Sequence, residues 1–211
     1  MLSSGIKWFL EAVFPPKCII CKKEGNYLCD KHKKFSPVSN KNDPVNSLEN
    51  LFAAVAYHDP TVEKVIEFFK FRGFSEIADI MTDEMIKKIH QSFFCDKVFI
   101  PIPLHWTRKI WRGFNQAEIL TKFLTKKIPN AKINYNLKRT KKTQQQAKLK
   151  KNERIKNIQQ AFWWDNKNGI PQNIILVDDV ASTGATLDTA ARILKKNGAQ
   201  KIYAMVFARG H

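Results

Sequence analysis

The chain has 211 residues, enough for one ordinary domain and a small accessory module. At 44% hydrophobic and 26% charged it is globular rather than disordered, and no apolar run reaches the roughly 18 residues of a membrane span. The net charge of +17 is concentrated: residues 101–160 hold 16 Lys/Arg against only Glu118 and Glu153, a balance of +14, whereas residues 51–100 are slightly acidic. One contiguous basic third is the electrostatic footprint of a polyanion binder.

In chain order, Ile6-Lys-Trp-Phe-Leu-Glu-Ala-Val-Phe14 is too short for a secretory signal and carries Glu11. Trp8, Phe9, Ala12 and Val13 fit an amphipathic helix docked on the domain, and a cytoplasmic location is expected. Cys18-Ile-Ile-Cys21 and Cys29-Asp-Lys-His32 then form a C-x2-C-x7-C-x2-H arrangement, with Gly25-Asn26 in the gap. Four N/S ligands at this spacing suit a structural, tetrahedral Zn²⁺ that leaves no open position for chemistry. A disulfide is disfavoured by the odd count and the cytoplasmic setting; a degenerate site without metal is the third reading. Cys95 is expected to be a buried hydrophobe.

Residues 36–50 are rich in turn formers, which divides the chain into 1–45, a helix and zinc module, and 46–211, the main domain. A strand over 51–57 follows, then a helix over 61–71 with Val62, Val65, Ile66 and Phe69 on one face and Gly73 closing it. Further elements are a helix over 75–90, a strand over 97–101, a helix over 115–127 and a strand-like piece over 133–136. Pro101-Ile-Pro103 forces an extended loop after its strand. Residues 137–154 are the most basic part and show no apolar periodicity. A strand over 174–179, a helix marked by Leu187, Ala190, Ala191 and Leu194 and capped by Gly198, and a strand over 201–208 complete the chain. This alternation predicts an α/β fold: a doubly wound parallel sheet with ligands at its carboxyl edge.

The most telling segment is Ile174-Ile-Leu-Val-Asp-Asp-Val-Ala-Ser-Thr-Gly-Ala-Thr-Leu187. An apolar run leads into Asp178 and Asp179, as in a parallel strand covered on both faces. Ala181, Ser182, Thr183, Gly184, Ala185 and Thr186 then offer hydroxyls and backbone N–H groups with little bulk. Such a loop at a helix N-terminus suits a phosphate. The carboxylates can accept hydrogen bonds from sugar hydroxyls or hold Mg²⁺ through water. No Gly-Lys-Ser/Thr closes the loop, so it is not a Walker A motif.

This pattern resembles the signature by which type I phosphoribosyltransferases bind phosphoribosyl pyrophosphate (PRPP). Phe14-Pro-Pro-Lys-Cys18, Lys70-Phe-Arg-Gly73, Arg112-Gly-Phe-Asn-Gln-Ala117 and Arg139-Thr140 with Gln144 to Gln146 make the chain similar, more specifically, to the competence-associated ComF/GntX family. The resemblance runs over almost the whole chain. It implies a type I phosphoribosyltransferase-like sheet, a PRPP or ribose 5-phosphate-like ligand with Mg²⁺ alongside, and a small N-terminal zinc module. The comparable ComF segment usually carries four cysteines; here His32 takes the fourth place. Arg108, Lys109 and Arg112 follow the post-strand loop that contacts pyrophosphate in such enzymes. Lys138, Arg139, Lys141 and Lys142 lie where a mobile loop closes over the ribose phosphate. These seven are candidates for pyrophosphate or for a DNA backbone.

Two function classes follow, and a third stays open. The resemblance implies a single-stranded DNA-handling factor in natural transformation, whose partners would include a helicase-like import motor and a recombination mediator. The alternative is an active phosphoribosyltransferase, for which no acceptor or base-recognition pocket is identifiable. The third is a zinc-ribbon adaptor that retains the sugar-phosphate site only as a sensor. Trp106, Trp111, Trp163 and Trp164 lie beside basic residues and are candidates to stack on bases, or else to line the core.

Overall fold

The computed structural model describes residues 15–38, 47–72, 75–87, 89–140 and 161–210. The expected helix before Pro15, Gly73, the division at residue 45 and the basic stretch from residue 141 onward lie outside the described residues. Seven strands occur along the described chain: β1 (Asn50–Ala56), β2 (Val98–Pro101), β3 (Lys132–Ile133), β4 (Leu137–Arg139), β5 (Phe162–Trp164), β6 (Asn173–Ala181) and β7 (Lys201–Arg209). The helices are α1 (Pro60–Arg72), α2 (Ser75–Ile86), α3 (Trp106–Arg112), α4 (Gln116–Lys127) and α5 (Ala185–Lys196).

Five strands pair in parallel in the order β1-β7-β6-β2-β3, with β6 registered on β2 (Val177 opposite Pro101) and on β7 (Asp178 opposite Val206). From β2 the chain moves outward to β3; from β6 it moves the other way, to β7. The β2–β6 seam is therefore where the winding reverses, and a crevice opens beyond the carboxyl ends of those two strands.

Side-chain alternation along β6 feeds two apolar layers. Ile175 and Val177 meet Val62, Val65, Ile66 and Phe69 of α1, Ile77, Ala78 and Met81 of α2, and Leu120 and Leu124 of α4. Ile174 and Leu176 meet Leu187, Ala190, Ala191 and Leu194 of α5 on the other face, together with Leu137, Phe162 and Trp164. The last three come from β4 and β5, a separate antiparallel pair in which Arg139 lies opposite Phe162. The sheet is thus covered on both faces, as the unbroken apolar run before Asp178 predicts.

The N-terminal module shares the first apolar layer. Leu28 is fully buried within it. Tyr27 packs on Phe68 with ring centroids 5.9 Å apart, and Phe35 meets Phe207 edge-on at 5.5 Å. Pro37 forms an antiparallel bridge to Val55.

Several expectations change. The second helix ends at Ile86 instead of continuing to residue 90, and a short 3-10 turn (Gln91–Phe94) follows, with His90 accepting a hydrogen bond from Ser92 N–H. Cys95 is exposed, because it lies at the C-terminal end of that turn and not on a core face. Trp164 is core while Trp163 points out, which follows from their adjacent places on β5. Residues 106–112 form a helix that no periodicity announces, since none of its side chains is buried.

Candidate functional site

Beyond the β2–β6 seam lies a cleft of about 660 Å³. From β6 come Asp178 and Asp179, which sit inside the strand, three and two residues before its last, Ala181. Both carboxylates line the cleft and interact with one another. Asp179 Oδ2 lies 3.8 Å from Lys70 Nζ, brought in at the end of α1. Asp178 faces the field of Arg139 on β4. Burial pushes the Asp178 carboxyl well above the usual carboxylate range, and the Asp179 charge adds to this. The Asp179 N–H at 2.9 Å and the Lys70 ammonium oppose the shift without cancelling it.

After Ala181 the connecting turn is only Ser182, Thr183 and Gly184, and Ala185 and Thr186 already belong to α5. Gly184 has φ +72°, a left-handed conformation that glycine adopts without a Cβ clash. Thr183 Oγ1 accepts from Ala185 N–H at 3.4 Å. Ser182 and Thr186 line the cleft. Other first-turn amides of α5 have no acceptor one turn back in their own helix, and the helix dipole adds positive charge there.

Opposite this turn stand cations. Arg108 and Arg112, one turn apart on α3, and Arg139 on β4 all line the cleft. The Nε atoms of Arg112 and Arg139 are buried and have no hydrogen-bond partner among the described residues. Burial and the neighbouring Arg108 charge hold the Arg139 pKa below its ordinary value, with Asp178 working against them. Burial, and then Arg139 and Arg108, likewise depress His105. This corner therefore carries positive charge that an anion would relieve.

Asn115 and Gln116 serve as struts. Asn115 Oδ1 caps α4 by accepting from Ala117 N–H (3.1 Å), and its Nδ2 donates to the Ile102 carbonyl (3.0 Å). Gln116 Nε2 donates to the Lys70 carbonyl (3.3 Å). Together they tie the start of α4 to the post-β2 loop and to the end of α1, fixing Lys70 in the cleft wall.

Of the sequence-derived candidates, the structure brings together Asp178, Asp179, Ser182, Thr186, Arg108, Arg112 and Arg139. Lys109 turns away and pairs with Glu118 at 3.7 Å. Lys138 sits opposite Trp163 on the β4–β5 pair, outside the cleft lining. Lys141 and Lys142 lie outside the described residues. Sequence reasoning missed Lys70 and Tyr57 as cleft residues. Tyr57 directly follows the carboxyl end of β1, and that position was the available signal.

Cys18, Cys21, Cys29 and His32 converge, with all four ligand atoms within 4.8 Å of one another. A short antiparallel bridge from Lys17 to Glu24 and a left-handed Lys22 (φ 65°) build the first knuckle. Zn–S bonds of about 2.3 Å and a Zn–N bond of about 2.0–2.1 Å at tetrahedral angles place sulfurs about 3.8 Å apart and S···N pairs about 3.6 Å apart. The Cys21–Cys29 sulfurs are 3.8 Å apart, and Cys18 Sγ lies 3.6 Å from His32 Nδ1, with Cys29 Sγ at 3.2 Å. This donor set fits a tetrahedral metal ion. Burial raises the Cys18 thiol, but N–H groups around Cys21 and Cys29 outweigh it and leave the pKa at about 6, so its thiolate is available at neutral pH.

The family model described as a phosphoribosyl transferase domain matches residues 112–211. Competence protein F of Haemophilus influenzae is 35% identical over 125 residues, covering 58% of this chain and 54% of that protein. Competence protein ComFC of Bacillus subtilis is 34% identical over 147 residues, 69% of this chain and 58% of that protein. The chain is ComF-like, with a phosphoribosyltransferase-type domain. The ComF-like chain is also 28% identical over 164 residues to the DNA utilization protein YhgH of Escherichia coli, covering 74% of this chain and 70% of that protein. It spans little more than half the length of the first two relatives. No helix among the described residues is long and apolar enough to cross a membrane.

Proposed function

We propose that this chain handles single-stranded DNA during natural transformation and that its cleft holds a PRPP or ribose 5-phosphate-like ligand. The observation that carries the ligand reading is the cleft itself. It unites a carboxylate pair for ribose hydroxyls or Mg²⁺, a small-residue turn at a helix N-terminus for the 5′-phosphate, and arginines with unpartnered buried Nε atoms for a second anion. The DNA reading draws on the basic third of the chain and on relatives whose names denote competence and DNA utilization. A cytoplasmic setting, a structural Zn²⁺ on Cys18, Cys21, Cys29 and His32, and hand-over between an import motor and a recombination mediator belong to the same reading.

Turnover of PRPP is the second reading, favoured by the completeness of the donor set around Asp178 and Asp179. A panel of free bases offered with PRPP and Mg²⁺, with and without single-stranded DNA, separates the two: pyrophosphate release that needs a base and ignores DNA makes the chain a phosphoribosyltransferase.

The DNA reading is tested by fluorescence anisotropy of a labelled oligonucleotide across a salt series. Log affinity should fall against log salt by about 0.7 per phosphate contact on a single strand. Replacing Lys138, Arg139, Lys141 and Lys142 together by Ala should lower both affinity and slope. No binding at low salt would sink it.

A further inference from the structure

Near their C-terminal ends, α1 and α3 each place a cleft residue next to an outward-facing aromatic. On α1 these are Lys70 and Phe71; on α3 they are Arg112 and Trp111. Phe71 is 56% exposed and Trp111 72%, yet the two rings meet edge to face with centroids 5.8 Å apart. Ile110, 73% exposed, and Trp106, 46%, lie on the same helix. A single exposed aromatic is ordinary, but two exposed rings in contact, one of them on a helix that buries none of its own side chains, are not explained by packing.

The charges around the group select its occupant. The same helix carries Arg108, Lys109 and Arg112, and α1 ends on Arg72. An apolar protein surface laid on Phe71 and Trp111 would have to bury or displace these cations. A single strand offers flat π-faces to the rings and phosphates to the cations at once.

We propose that Phe71 and Trp111 form a stacking platform for unpaired nucleobases, with the strand's phosphates drawn to Arg108 and Arg112 at the adjoining cleft edge. This rests on the single-stranded DNA reading and gives it a surface. Because successive residues of α1 and α3 serve cleft and platform, a strand on the platform runs past the mouth of the sugar-phosphate site. Recognition through a π-face is indifferent to base identity and is unavailable to a duplex, whose bases are stacked on one another.

The test uses the full chain, a fluorescein-labelled oligothymidylate and an equally long strand of abasic sites, read by anisotropy across a salt series. Phe71→Ala with Trp111→Ala should lower oligothymidylate affinity roughly 5- to 150-fold, the contribution of one base–aromatic stack, without changing the salt slope. The abasic strand should bind wild type no better than oligothymidylate binds the double variant, and Trp111→Phe should restore most of the loss. Both rings are exposed, so far-UV circular dichroism and the thermal midpoint should not move. Wild-type affinity in the double variant overturns the platform while leaving the DNA reading in place. Failure of the wild type to bind single strands at low salt overturns the DNA reading, and the platform with it. A double variant that changes oligomeric state but not DNA affinity assigns the rings to a second copy of the chain and also overturns the proposal.

Discussion

Leu28→Ala tests whether the Cys/His module and the phosphoribosyltransferase-type domain unfold together. Leu28 directly precedes the candidate ligand Cys29, is fully buried, and packs in the same apolar layer as Val62, Phe69 and Phe207. Truncating such a side chain removes its transfer free energy and leaves a cavity, about 2–5 kcal/mol in total. For 150–250 residues each kcal/mol moves the midpoint by about 2–4 °C, so the variant should melt roughly 4–20 °C lower. The ring contacts of Tyr27 with Phe68 and Phe35 with Phe207 cross the same boundary, so the loss should appear in one cooperative transition. Circular dichroism melts of purified protein, with metal release followed by a chromogenic chelator, give both readouts. An unmoved main transition preceded by a separate small one, with metal lost only in the first, would refute the shared core.

Protein purified without chelator should contain one Zn²⁺ per chain by elemental analysis, and Cys29→Ser should lose the metal and lower the single melting transition, since ligand binding and folding are linked. Asp178→Asn should make stability less dependent on pH. Burial, with Asp179 beside it, raises the folded carboxyl pKa above the unfolded value near 3.8, so its stabilising contribution is complete below that pH and is lost as pH rises through the folded pKa. Urea unfolding at acid and neutral pH should therefore show the variant gaining on wild type as pH rises; parallel profiles would contradict the buried acid. Trp164→Ala should cost about 3–5 kcal/mol of stability as a core truncation. Trp163→Ala, 47% exposed on the other side of β5, should leave the midpoint almost unchanged.

The parallel sheet and the small-residue turn after β6 were legible because each is written locally. Four apolar residues before Asp178, small residues after it and a helical period beyond Gly184 each carry their own signal. The Cys/His spacing was legible for the same reason. What stayed hidden depends on distant partners or on the absence of packing. β4 and β5 are three residues each, too short to show a period, and pair across the intervening residues 140–161. α3 has no apolar stripe facing the core; its end is set by Gly113 at φ +79°, whose N–H reaches the Lys109 carbonyl at 2.8 Å. Lys70 reaches Asp179 across the fold, held there by Gln116, and no spacing rule links residues 70, 116 and 179. The uniform basic character of residues 101–142 concealed that Arg108, Arg112 and Arg139 line the cleft while Lys109 is tied to Glu118.

The most direct measurement of the central claim is calorimetric titration of PRPP with Mg²⁺ into wild type and into the double variant Asp178→Asn, Asp179→Asn. The cleft geometry predicts saturable one-to-one binding to wild type that is strongly weakened in the double variant and also reduced in Thr186→Val, which loses a cleft hydroxyl. Equal affinity in wild type and the double variant would place the ligand elsewhere and contradict the assignment of the cleft.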